Sequence, residues 1–180
     1  MDKSLEMVTL YHYTSAEGLQ AVLQSGRIVK QLGAHDHYTT GEAVFLTKVD
    51  PVGYNMKEIL QNNYCGLHEN AWLPRRDRAS FYIKLVMDPE DRLLDLHASM
   101  LASRSVVVYK DEITLDNMEW TFGYPTVSGF ELDPELERKN RETRERFLNH
   151  PKNENYKPPT RLTMPTLAMR PAWQTLQNRT

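Results

Sequence analysis

His12 is the first residue in this chain whose type and surroundings could do chemistry. It stands near the end of a run, Met7 to Tyr13, in which Val8 and Leu10 alternate with Thr9 and Tyr11 as in a half-buried strand. Ser15 follows as an N-cap, its hydroxyl placed to take an orphan N–H of a first helical turn. An imidazole held at a strand end beside a helix N-terminus can meet a phosphate-bearing ligand; its plainer role is a hydrogen bond to backbone. His35, Asp36 and His37 are metal-ligand types, but they crowd one polar loop with no Cys or His partner at zinc spacing, so no metal site is expected. Cys65 has no basic or histidine neighbour to activate it as a nucleophile. The other chemical candidate is the basic run Arg75, Arg76 and Arg78.

These residues need elements to hold them. Leu19, Val22 and Leu23 form the apolar stripe of a helix after Ser15, and Gly26 supplies the left-handed residue that ends it. Ala43 to Leu46 reads as a strand. Asp50 and Pro51 read as N-cap and first residue of a second helix carrying Tyr54, Met56, Ile59 and Leu60. His68 to Arg78 reads as a loop whose arginines are solvated or touch an anion. Ser80 to Met87 is a strand closed by Asp88-Pro89, Leu93 to Met100 a short helix or strand end, and Arg104 to Leu115 a further strand segment. Trp120 to Pro125 reads as an aromatic loop docked on the core. Asp133-Pro134 starts a charged helix with Glu137/Arg141 and Glu142/Arg146 at i,i+4 spacing, stopped by His150-Pro151. Prolines 158, 159, 165 and 171 mark an extended arm, on which Leu162, Met164, Leu167, Met169 and Trp173 could grip a partner. The pattern predicts an α+β fold divided as a domain over 1–132, a charged helix over 133–150 and a C-terminal arm over 151–180.

Composition narrows the function classes. A net charge of −2 argues against a general nucleic-acid binder, which carries a basic face. One cysteine excludes an intrachain disulfide and suits a reducing compartment. No apolar run approaches the roughly 20 residues of a membrane span, and the N-terminus carries no signal-type apolar region. A soluble, cytoplasmic protein is expected, and a toxin or effector exported by a secretion machine would read the same way.

The run LYHYTSAEGLQAVLQSGRI, Leu10 to Ile28, resembles the opening of the ADP-ribosyltransferase fold. It is closest to the toxin-type family with a His–Tyr–Asp signature and more distantly like poly(ADP-ribose) polymerases. A second stretch, Gly41-Glu42-Ala43-Val44-Phe45-Leu46-Thr47, is similar to the family's Gly-x-Gly-Val-Tyr-Leu-Thr strand, and the likeness extends from Leu10 to about Leu115. The resemblance implies a split β-sheet core with short flanking helices, NAD as substrate, and ADP-ribosyl transfer to a macromolecular acceptor or hydrolysis of NAD. It also implies that the loop from Lys30 to Thr40 lies over the nicotinamide cleft. His12 would hold a ribose hydroxyl with Thr14 beside it, and the Tyr13 backbone would pair with the carboxamide. Phe45, standing where the family has Tyr, would stack on the nicotinamide ring, with Tyr54 closing the sandwich and Tyr64 the poorer candidate. The catalytic acid of the family falls on Ser105, which cannot supply negative charge to an oxocarbenium-like transition state. Asp95, Asp111 and Glu112 remain open as substitutes. The departure at Ser105 supports an alternative, a catalytically weak module of the same fold that binds a ligand or partner. A third reading, transfer of an RNA 2′-phosphate to NAD, would need basic residues around the phosphate, for which Arg75, Arg76 and Arg104 are available.

Overall fold

Alternating apolar residues make β1 (Val8–Thr14) one edge of a three-stranded antiparallel sheet, order β1-β5-β9, with β5 (Phe81–Met87) at its centre and β9 (Glu119–Gly123) on the far side. The computed structural model describes residues 6–32, 41–64, 68–98 and 104–155. The His35–His37 cluster, Cys65 and the arm beyond residue 155 lie outside the described residues. A second sheet has the order β3-β4-β7-β6, formed by β3 (Gln31–Leu32), β4 (Glu42–Leu46), β6 (Leu94–Asp95) and β7 (Val107–Tyr109). A two-stranded pair joins β2 (Arg27–Ile28) to β8 (Ile113–Thr114). The class is α+β with antiparallel sheets. No helix among the described residues is long and apolar enough to cross a membrane.

The first helix forms as its sequence dictates. Ser15 Oγ accepts from Gly18 N at the start of α1 (Ala16–Ser25), and Gly26 ends it at φ 68°. Leu19 and Val22 enter the main core with Leu10, Ile28, Ile83, Leu85, Val107 and Leu115. A second core gathers Tyr13, Met56, Ile59, Leu60, Trp72 and Tyr82.

Four expectations are corrected. Asp50 does not cap a helix: its carboxylate accepts from the N–H groups of Val52 and Gly53 at 2.9 and 2.8 Å, closing a turn instead. The helix, α2 (Met56–Asn63), starts behind Asn55, in a reciprocal capping box with Glu58. The segment after His68 is helical, α3 (Glu69–Trp72) followed by a 3-10 turn over Leu73–Ala79, because Trp72 and Ala79 must be buried. Trp120 to Gly123 is β9 rather than a loop, since Phe122 enters the core while the flanking Thr121 points away from it. On α4 (Pro134–Arg146), capped by Asp133, the ion pairs run from Arg138 to Glu135 and Glu142, the second at the anticipated i,i+4 spacing but between other residues than those expected.

This helix packs on the elements before residue 132. Buried Asn140 donates to Ser80 Oγ at 3.0 Å, and Lys139 and Arg146 reach Glu17 and Gln20 on α1. Beyond it, Lys152–Glu154 returns to pair in parallel with Phe122 of β9.

Candidate functional site

Antiparallel ladders alternate the edge to which each residue turns its backbone groups. Along one edge of β4, Ala43 pairs with Gln31 of β3, and Thr47, just past the strand end, exchanges two bonds with Tyr11 of β1 at 2.9 and 3.0 Å. Continuing that ladder would set Phe45 opposite Tyr13. It does not continue. The Phe45 carbonyl is taken instead by the side chain of His12, Nδ1 to O at 3.0 Å. An imidazole therefore stands where a backbone amide would have closed the sheets. By the same alternation the N–H and C=O of Tyr13 face this edge, and they have no partner there among the described residues.

The gap between β1 and β3 along β4 is a cavity of about 250 Å³. Residues 11–14 line it from β1, residues 43–47 from β4, and Val29, Gln31 and Leu32 from the β2–β3 side. Its far wall carries Asn63, Tyr64, Arg75, Arg78, Arg104 and Val106. Burial holds the His12 imidazole below the usual histidine range; the Phe45 carbonyl pulls the other way and the Arg78 charge adds to the lowering. With Nδ1 donating to Phe45, the neutral ring keeps its lone pair on Nε2, which has no partner among the described residues. The Tyr13 phenol donates to Val49 O at 2.9 Å, and burial pushes its pKa upward, so it stays protonated.

The structure thus brings His12, Tyr13, Thr14 and Phe45 to one cavity. Phe45 is half-buried there, while its neighbours Val44 and Leu46 point into the main core. Thr14 is fixed by α1: a Cβ on Gly18 would sit 1.9 Å from Thr14 Oγ1, so only glycine fits. Tyr54 is not brought in. It lies on the turn before α2, 47% exposed, and the tyrosine that lines the cavity from α2 is Tyr64.

The acid candidates are also placed elsewhere. Ser105 is a latch: its Oγ accepts from Lys48 N at 2.9 Å, and its backbone N–H and C=O are both held by the Asn62 amide. Glu112 pairs with Arg27 at 2.9 Å, Asp111 with Lys30, and Asp95 accepts from His97 N. No carboxylate lines the cavity among the described residues.

Sequence reasoning passed over Asn62 and Thr47, and it left Arg78 between solvent and an anion. The direction of Arg78 was not readable because the 3-10 turn that aims it was read as loop. Arg76, next to it, turns away to Asp133. Arg104 donates to the carbonyls of Asn62 and Asn63 at the C-terminus of α2, where a cation suits the helix dipole. Arg75 lies over the ring of Tyr64. Asn62 also donates to Thr47 Oγ1, tying α2 to the bridge between the sheets. Compared with protein-family models, with curated proteins and with solved structures, the chain matches none.

Proposed function

We propose that this cavity takes the nicotinamide end of NAD, and that the chain is an ADP-ribosyltransferase-type module that binds NAD and turns it over weakly. The observation that carries this reading is the displaced pairing at Phe45. It leaves, on one wall, an acceptor at His12 Nε2 for a ribose hydroxyl and a donor–acceptor pair on the Tyr13 backbone that matches a carboxamide. The Phe45 side chain beside them offers a face for an aromatic ring. Weak turnover follows from where the acids lie. Cleaving the nicotinamide bond builds positive charge on the ribose, and lacking a preorganised opposing group costs about 10²–10³-fold in rate.

Titration calorimetry with NAD and with benzamide, alongside etheno-NAD fluorescence, tests this. Binding of both with slow etheno-NAD turnover is expected. Rapid turnover would restore the reading of a full transferase or glycohydrolase, and no binding of either would end the proposal.

The three arginines on the far wall favour a second reading, in which the acceptor is a phosphate monoester such as an RNA 2′-phosphate. A phosphate oxygen would attack the ribose carbon as the bond to nicotinamide breaks. The pyridinium would take the electron pair and the dianion would become a diester monoanion, so no base is needed. Nicotinamide release stimulated by a phosphorylated oligonucleotide, but not by its dephosphorylated form, is the expected signature. Equal release with both would remove this reading.

A further inference from the structure

Of the polar clusters outside the cavity, the most completely satisfied lies on the opposite edge of the first sheet. Lys152–Glu154 adds to β9 through Phe122 N to Lys152 O at 2.9 Å and Glu154 N to Phe122 O at 2.8 Å. The Glu154 carboxylate then accepts from three side chains on two strands: Tyr82 Oη at 3.0 Å, Lys84 Nζ at 2.9 Å and Thr121 Oγ1 at 2.7 Å. Asn155 Oδ1 accepts from Tyr124 N at 2.9 Å. The strand is cut to admit this segment: a Cβ on Gly123 would come within 2.4 Å of Tyr82 Oη and 2.5 Å of Asn155 Oδ1.

Tyr82 leads from there to the cavity. Its ring packs edge-on against both Tyr11 and Tyr13, at centroid distances of 5.8 and 6.1 Å, and its backbone lies opposite Tyr13 in the β1–β5 register. Tyr11 and Tyr13 line the cavity, and Tyr11 carries the bridge to the second sheet. An element fixed at both ends and packed without gaps transmits displacement rather than absorbing it.

We infer that Glu154 is a positioning residue for the cavity: the C-terminal segment clamps the Tyr82 hydroxyl, and Tyr82 sets the two tyrosines that form the β1 wall. This rests on the reading of the cavity as a nicotinamide site. Glu154 touches no ligand itself. Its carboxylate, held by three donors, fixes one end of a row of three aromatic rings whose other end is the binding surface.

The test uses the full chain and benzamide as probe. Glu154→Ala and the milder Tyr82→Phe, which deletes only the clamped hydroxyl, should each weaken benzamide binding several-fold. The double variant should be no weaker than the worse single one, because both cut the same connection. Glu154→Gln, which keeps one acceptor oxygen, should recover part of the loss. Leu23→Ala, trimming the main core away from this row, serves as the stability control and should lower the melting temperature without changing affinity. Unaltered affinity in both Glu154→Ala and Tyr82→Phe, with the wild-type chain binding normally, would overturn the inference and leave the nicotinamide reading standing. Failure of the wild-type chain to bind benzamide or NAD would remove that reading, and this inference with it.

Discussion

His12 does two jobs with two nitrogens, and they can be separated. His12→Ala removes the donor to the Phe45 carbonyl as well as the free acceptor. It should cost about 1 kcal/mol of stability and weaken benzamide binding by about 1–3 kcal/mol. His12→Asn retains a donor for the carbonyl, so it should recover the stability in thermal melts while calorimetry still shows the binding loss. The pH dependence follows from the lowered pKa. The native state keeps the ring neutral, so the unfolded chain takes up its proton first. The stability contribution is therefore present above about pH 6.5 and is lost as pH falls below it. Benzamide binding should weaken with a midpoint on the acid side of 6.5, and His12→Asn should flatten that profile. Phe45 is the other residue-scale test. Phe45→Tyr keeps the ring face and should bind benzamide as well as wild type, whereas Phe45→Ala should abolish detectable binding.

At the scale of elements, α2 is what holds the second sheet to its neighbours. Asn62, in its last turn, grips both backbone groups of Ser105 and the Thr47 hydroxyl. Asn62→Leu should cost about 1–3 kcal/mol in denaturant unfolding, since it strands buried polar partners. Ser105→Glu should destabilise the chain and give no faster etheno-NAD turnover than wild type, because Oγ at that position meets the Lys48 amide and not the cavity. Were turnover to rise above wild type, the segment before β7 would have to sit differently.

How much of this was legible depended on whether the signal was local. Ser15, Gly26, Asp133 and the alternation in β1 were readable because caps and period-2 patterns act within a few residues. The start of α2 was misplaced because Asp50-Pro51 and Asn55 both carry cap chemistry, and Gly53 with the Asp50 turn decided between them. His12 and Phe45 were singled out, but the bond between them spans 33 residues and no spacing rule reaches it. Arg78 and Tyr64 were undervalued for the same reason: one is aimed by the 3-10 turn after Trp72 and the other by the end of α2, whose start the sequence signals had misplaced.

For the molecule as a whole, the C-terminal return past α4 is part of the fold. Burial pushes the Glu154 carboxyl up, but the bonds from Lys84, Thr121 and Tyr82 outweigh it and the net pKa is lowered from 4.5. Its contribution is then full above about pH 4.5 and is lost as pH falls through the lowered value. The stability difference between wild type and Glu154→Gln, from urea unfolding, should accordingly shrink on going from neutral to strongly acid solution.

Among the described residues, the two sheets meet through one reciprocal pair of amides, Tyr11 with Thr47, next to a pairing that His12 has usurped. A seam that short opens in time as well as in space. Each excursion that parts the sheets must first release those two protons to solvent, so their deuterium uptake is a clock for the breathing of the cavity mouth. A guest seated between Tyr13 and Phe45 would restitch the interrupted ladder with its own polar atoms. Saturating benzamide should therefore slow the clock at Tyr11 and Thr47 more than at Ile83 or Leu85, whose place in the middle of the first sheet already keeps them shut.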